Sequence, residues 1–112
     1  MEDDKKATEE KIGQLQLMEQ NLQNFIMQKQ KFQTQLFEVD NALKELGLSK
    51  DKAYKIVGTV MIASKREDLI KELKEKKSVL ELRIRTIEKQ EKSLKDKATE
   101  MQTEIMSSLK KK

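Results

Sequence analysis

Ala53-Tyr54-Lys55-Ile56-Val57-Gly58-Thr59-Val60-Met61-Ile62-Ala63-Ser64 is the stretch that decides how this chain is built. β-Branched and aromatic residues cluster here without a helical period, and a glycine sits near the middle. The segment therefore reads as two short strands, over about 53–63, reversing at Gly58. Tyr54 and Ile56 fall on one face with Val57 opposite, and Val60 and Ile62 alternate with Met61 and Ala63, so neither face is polar. A lone two-stranded hairpin is marginal in water, and one that is apolar on both sides with two open edges needs other strands. The expectation is oligomerisation through Tyr54, Ile56, Val57, Gly58, Val60, Met61 and Ile62.

On either side of this stretch the pattern changes to helix. Upstream, Leu15, Met18, Leu22, Phe25, Phe32, Leu36, Val39, Leu43 and Leu46 alternate in steps of three and four, with Lys29 as the one polar interruption. A seam of this kind sustained over more than four heptads is a coiled-coil signature that strands cannot produce. It predicts a first helix over about 4–47. Gly13 should weaken the opening turns by up to ~1 kcal/mol relative to alanine, and Gly47 stands where a helix-ending residue of positive φ would stand. A loop over 48–52 leads into the strands.

Downstream, Ser64-Lys65-Arg66-Glu67 matches a capping box and opens a second helix over about 65–109. Its seam is Ile70, Leu73, Lys77, Leu80, Ile84, Ile87, Glu91, Leu94, Ala98, Met101 and Ile105, with Lys77 and Glu91 as polar members that set register or snorkel. Each helix has about 40 residues, hence about 60 Å. Leu46 and Ile70, Leu43 and Leu73, Leu36 and Leu80, and Phe32 and Ile84 are pairs equidistant from Gly58. The helical register thus centres on the residue assigned to the strand reversal. The fold class expected is mainly α, a single domain over 1–112 made of a long antiparallel two-helix coiled coil with one β-hairpin at its apex.

Composition agrees with exposed rods rather than a globule. Of the 112 residues 36% are hydrophobic, 39% charged and 4% aromatic, and Trp, Pro, Cys and His are absent. The net charge of +4 comes from interspersed rather than segregated charges, so no broad cationic face for nucleic acid is evident. No apolar run is long enough to cross a membrane, and the acidic start Met1-Glu2-Asp3-Asp4 has the wrong sign for a signal peptide, so a cytoplasmic protein is expected. Without His or Cys, the common metal clusters and Cys/His nucleophile pairs cannot be built. No glycine-rich phosphate loop occurs either, so neither an enzyme nor a cofactor site is expected.

Tyr54-Lys55-Ile56-Val57-Gly58-Thr59-Val60-Met61-Ile62, followed by Asp68-Leu69-Ile70-Lys71-Glu72-Leu73 and Arg83-Ile84-Arg85-Thr86-Ile87-Glu88-Lys89-Gln90-Glu91, resembles the prefoldin family over nearly the whole chain. One hairpin rather than two matches its β type. Thr59 stands where eukaryotic members often carry proline, and the chain ends in Lys110-Lys111-Lys112 rather than a longer tail. The resemblance implies a hexamer of two α and four β subunits whose hairpins join into a barrel platform carrying six coiled coils. It also implies ATP-independent holding of non-native proteins and their delivery to a group II chaperonin.

Ile12, Leu15, Leu17 and Met18 on the first helix, with Met101, Ile105, Met106 and Leu109 on the second, put more apolar surface at the helix ends than one seam can hide. Leu15, Met18, Met101 and Ile105 are seam members, whereas Leu17, Met106 and Leu109 fall outside it. Flexible Met side chains suit a surface that accepts many partners. These eight residues are the candidate client contacts. The charges Glu2-Asp3-Asp4 and Lys110-Lys111-Lys112 complement the helix dipoles, with docking on a partner as the alternative. The competing reading of the whole chain is a structural coiled-coil adaptor that oligomerises through the hairpin and binds one folded partner. An RNA-binding arm is disfavoured by the missing stacking aromatics and basic stripe.

Overall fold

The computed structural model describes residues 2–48 and 52–110, in the order α1 (Glu2–Leu48), β1 (Ala53–Val57), β2 (Val60–Ser64) and α2 (Arg66–Lys110). Lys111, Lys112 and most of the expected loop lie outside the described residues. Two long helices flank one β-hairpin, as the two seams and the strand-like stretch between them require. The chain forms two compact units, Gln30–Arg85 and Met1–Lys29 with Thr86–Lys112.

In the unit Gln30–Arg85 the helical segments run antiparallel. Val39, Leu80 and Ile84 are buried, and Leu36, Leu43, Leu46, Ile70 and Leu73 are half-buried, all of them seam positions. Lys77 Nζ lies 2.9 Å from Asp40, and the Arg83 guanidinium sits 5.6 Å from the centre of the Phe32 ring, next to the expected partner Ile84. The strands pair antiparallel from Ala53↔Ser64 to Val57↔Val60, so the reversal uses two residues, Gly58 and Thr59, and its axis falls between them rather than on Gly58. Gly58 has φ +64° and, among the described residues, no non-glycine residue has positive φ; this is the glycine-first pattern of a type II′ turn.

Two expected helix caps are corrected. Ser64 is not a helix cap: its backbone belongs to the strand ladder opposite Ala53, and its hydroxyl reaches only the Lys65 carbonyl, at 3.5 Å. The Lys65 carbonyl accepts the first helical bond, from Leu69 N–H at 3.0 Å, so Lys65 is the cap, followed by Glu67 and Asp68 in the positive-potential first turn. Gly47 likewise remains helical with negative φ, and α1 runs one residue past it. At that end Arg66 reaches the last carbonyls of α1: its Nε donates to Leu46 O at 2.6 Å and its Nη2 donates to Gly47 O at 3.3 Å. A fixed guanidinium fork does the work that a left-handed glycine would have done, and it adds positive charge at the negative end of the helix.

In the other unit the segments are again antiparallel, joined by Lys11–Glu104 at 3.4 Å and Lys29–Glu91 at 3.3 Å. Ile87, Ala98 and Ile105 are buried, and Leu15, Met18, Leu22, Phe25, Leu94 and Met101 are half-buried. Helix α1 continues through Gly13.

Candidate functional site

The hairpin is a surface before it is a core. Cross-strand pairing puts Tyr54, Ile56, Met61 and Ala63 on one face and Lys55, Val57, Val60 and Ile62 on the other. Six large apolar side chains, three on each face, remain 48–68% exposed. The sheet has two strands, so each has an unpaired outer edge. Burying one such side chain is worth about 1.5–3 kcal/mol, so six left bare represent a large unrealised gain for any partner strand or sheet. Only Ala53, at the base of β1, is buried. Lys55 forms an exposed ion pair with Glu72 of α2, a contact worth little by itself.

The eight helix-end residues are all in the unit formed by residues 1–29 and 86–112, and they divide by heptad position. Leu17, Met106 and Leu109, outside the seam, are 55–58% exposed, and Ile12 is also exposed. Leu15, Met18 and Met101 are half-buried, and Ile105 is 8% exposed. Four of the eight are therefore open on the surface, three are partly covered by the seam, and Ile105 is reachable only if the seam parts.

Two of the polar seam residues, Lys29 and Glu91, form an ion pair in the structure. Glu91 is 7% exposed; its Oε1 accepts from Lys29 Nζ at 3.3 Å and from Lys95 Nζ at 3.4 Å, while its buried Oε2 has no protein partner. Burial pushes this carboxyl up, but the hydrogen bonds and charges of Lys29 and Lys95 outweigh it and hold the group below the usual carboxylate range. Lys77 is pushed above the usual lysine value, chiefly by its hydrogen bond to Asp40 and then by that residue's charge. Sequence reasoning also missed the burial of Leu69, which lies outside the seam, and the capping role of Arg66. Leu69 stands four residues before the seam member Leu73, a helical spacing that marks it as a candidate for burial beside Ile70.

Among the described residues no group of carboxylates is placed to hold a metal ion, and no helix is long and apolar enough to cross a membrane. The family model described as "Prefoldin subunit" matches residues 9–112. The prefoldin subunit beta of Thermococcus kodakarensis is 41% identical over 100 residues, covering 88% of this chain and 86% of the relative. That of Archaeoglobus fulgidus is 38% identical over the same length with the same coverage. The crystal structure of the prefoldin beta subunit from Thermococcus strain KS-1 superposes with a TM-score of 0.86 at 37% identity, covering 92% of each chain. With a hairpin bare on both faces, two seamed antiparallel helices and these relatives, the chain belongs to the prefoldin subunit family, whose members are chaperones and not enzymes, and it is similar to the archaeal β subunits.

Proposed function

We propose that the chain is a holdase subunit that assembles through its hairpin with prefoldin α-type subunits and further β copies, as a hexamer of two α and four β in the cytoplasm. It holds non-native proteins against the apolar helix ends, without ATP, and passes them to a group II chaperonin. The observation that supports this most is the pairing of two different bare apolar surfaces in one charged chain. The hairpin presents β-branched side chains and open strand edges, which suit a fixed strand-to-strand interface. Leu17, Met106 and Leu109 present flexible side chains on helix surface, which suit a changing set of partners.

The experiment is aggregation of several unrelated denatured proteins, followed by light scattering, with the assembled complex containing wild-type chain or Leu17→Gln/Met106→Gln/Leu109→Gln. The wild-type complex suppresses scattering at near-stoichiometric ratios, and the triple variant assembles normally but suppresses far less. Undiminished suppression by the triple variant would move client contact elsewhere. Failure of the wild-type complex to protect any of the clients would favour the adaptor reading.

A further inference from the structure

A groove of about 410 Å³ runs along one flank of the unit formed by residues 1–29 and 86–112. Its floor is the half-buried pair Phe25 and Leu94, Asn21 and Gln90 contribute side-chain amides, and Lys89 and Lys97 stand exposed along it. No carboxylate lines it, and among the described residues neither lysine has an ion-pair partner. In a chain with 20 acidic residues, two unpaired cations over an apolar floor ask for an acidic occupant with an apolar centre.

We propose that this groove takes segments of non-native polypeptide in which an apolar residue is flanked by two carboxylates. This rests on the holdase reading and gives it a sequence preference. The spacing selects the segment. Lys89 and Lys97 are eight residues apart on α2, about 12 Å along its axis and about 80° apart around it, an offset that their long flexible stems can bridge. In an extended chain two side chains four residues apart are about 13 Å apart and point the same way, as does the residue midway between them. An acid-x-apolar-x-acid segment therefore sets both carboxylates on the lysines and its central side chain on Phe25 and Leu94. The amides of Asn21 and Gln90, each donor and acceptor, match the peptide backbone whatever the intervening residues are. Nucleic acid is the poorer occupant, because the groove offers only a single, half-buried aromatic ring for base stacking.

The test measures fluorescence anisotropy of labelled peptides containing Glu-Ser-Leu-Ser-Glu or Lys-Ser-Leu-Ser-Lys, and of a single-stranded RNA oligonucleotide. Each probe is titrated with the assembled complex containing the wild-type chain or Lys89→Glu/Lys97→Glu, while aggregation suppression by the same complexes is followed in parallel. Exposed charge pairs are each worth at most roughly a factor of five, so the acidic peptide should bind about tenfold more tightly than the basic one, and the reversed chain should invert that order. Equal binding of the two peptides, or the same order in both chains, overturns the proposal. RNA bound as tightly as the acidic peptide and lost in the reversed chain also overturns it, by marking a general polyanion site. If the wild-type chain suppresses aggregation but shows no peptide preference, the groove assignment alone fails; if it suppresses nothing, the holdase reading fails and takes this proposal with it.

Discussion

Replacing Lys29 and replacing Glu91 should have opposite effects on stability, although the two residues form one ion pair. In Lys29→Leu the Glu91 carboxylate keeps only Lys95, at 3.4 Å, and stays in a site 7% exposed with its Oε2 already unpartnered. Removing one member of a fully buried pair costs about 3–5 kcal/mol. Here the remaining lysine and the 23% exposure of the Lys29 side chain lower that, so a loss of about 1.5–3 kcal/mol, the range for a hydrogen bond to a charged group, is expected. In Glu91→Leu the orphaned acceptor disappears, an apolar side chain joins the seam, and Lys29 extends its ammonium to water at little cost. That variant should match or exceed the wild type, and Lys29→Leu/Glu91→Leu should exceed it by about 1–4 kcal/mol. The assay is urea unfolding followed by far-ultraviolet circular dichroism at one fixed protomer concentration, because assembly is linked to stability. A Lys29→Leu chain as stable as Glu91→Leu would refute the claim that an under-satisfied buried carboxylate sits in this seam.

The same carboxylate gives the pH profile an acid limb. Its pKa is lower in the folded state than in the unfolded chain, so its contribution is complete above the unfolded value of about 4.3 and is lost as pH falls through the folded value; Glu91→Gln should flatten this limb in pH-dependent melts. Lys77 behaves conversely: its contribution is complete below about 10.4 and is lost as pH rises through its raised folded value, so Lys77→Met should remove part of the alkaline loss. Gly58→Ala meets no neighbouring atom within 4 Å, so its whole cost is the left-handed backbone at φ +64°, about 1–2 kcal/mol. Gly58→Asn should cost less in a side-by-side thermal melt, and equal losses would point to packing instead. Arg66→Met keeps the side-chain stem but frees the carbonyls of Leu46 and Gly47, so amide exchange in the last turn of α1 should accelerate while α2 is unchanged; unaltered exchange would show that water serves those carbonyls equally well.

Much of this structure is legible in the sequence because its dominant forces are periodic. Steps of three and four along each helix mark the side chains that end up buried or half-buried, and the break in that period between Ala53 and Ser64 marks the hairpin. What escaped was local and non-periodic. Ser64-Lys65-Arg66-Glu67 satisfies the capping pattern, but the strand ladder takes the Ser64 backbone first, and a local motif cannot report that competition. Gly47 fits a helix stop only if no side chain arrives from elsewhere to take the final carbonyls, and Arg66 does arrive. Lys29 and Glu91 look like two separate faults in two seams until antiparallel packing brings them together. Among the candidate contact residues, heptad position already separates Leu17, Met106 and Leu109 from the seam member Ile105, and their exposure follows that division.

The proposed assembly follows from a hairpin whose two faces and two edges are uncovered among the described residues. Native mass spectrometry of the full chain, wild type beside Ile56→Lys/Ile62→Lys with one change on each face, tests this most directly. The wild type should be a multimer, and the variant a monomer with undiminished helical circular dichroism. A wild-type chain that stays monomeric at micromolar concentration, or a variant that assembles to the same mass, would contradict it.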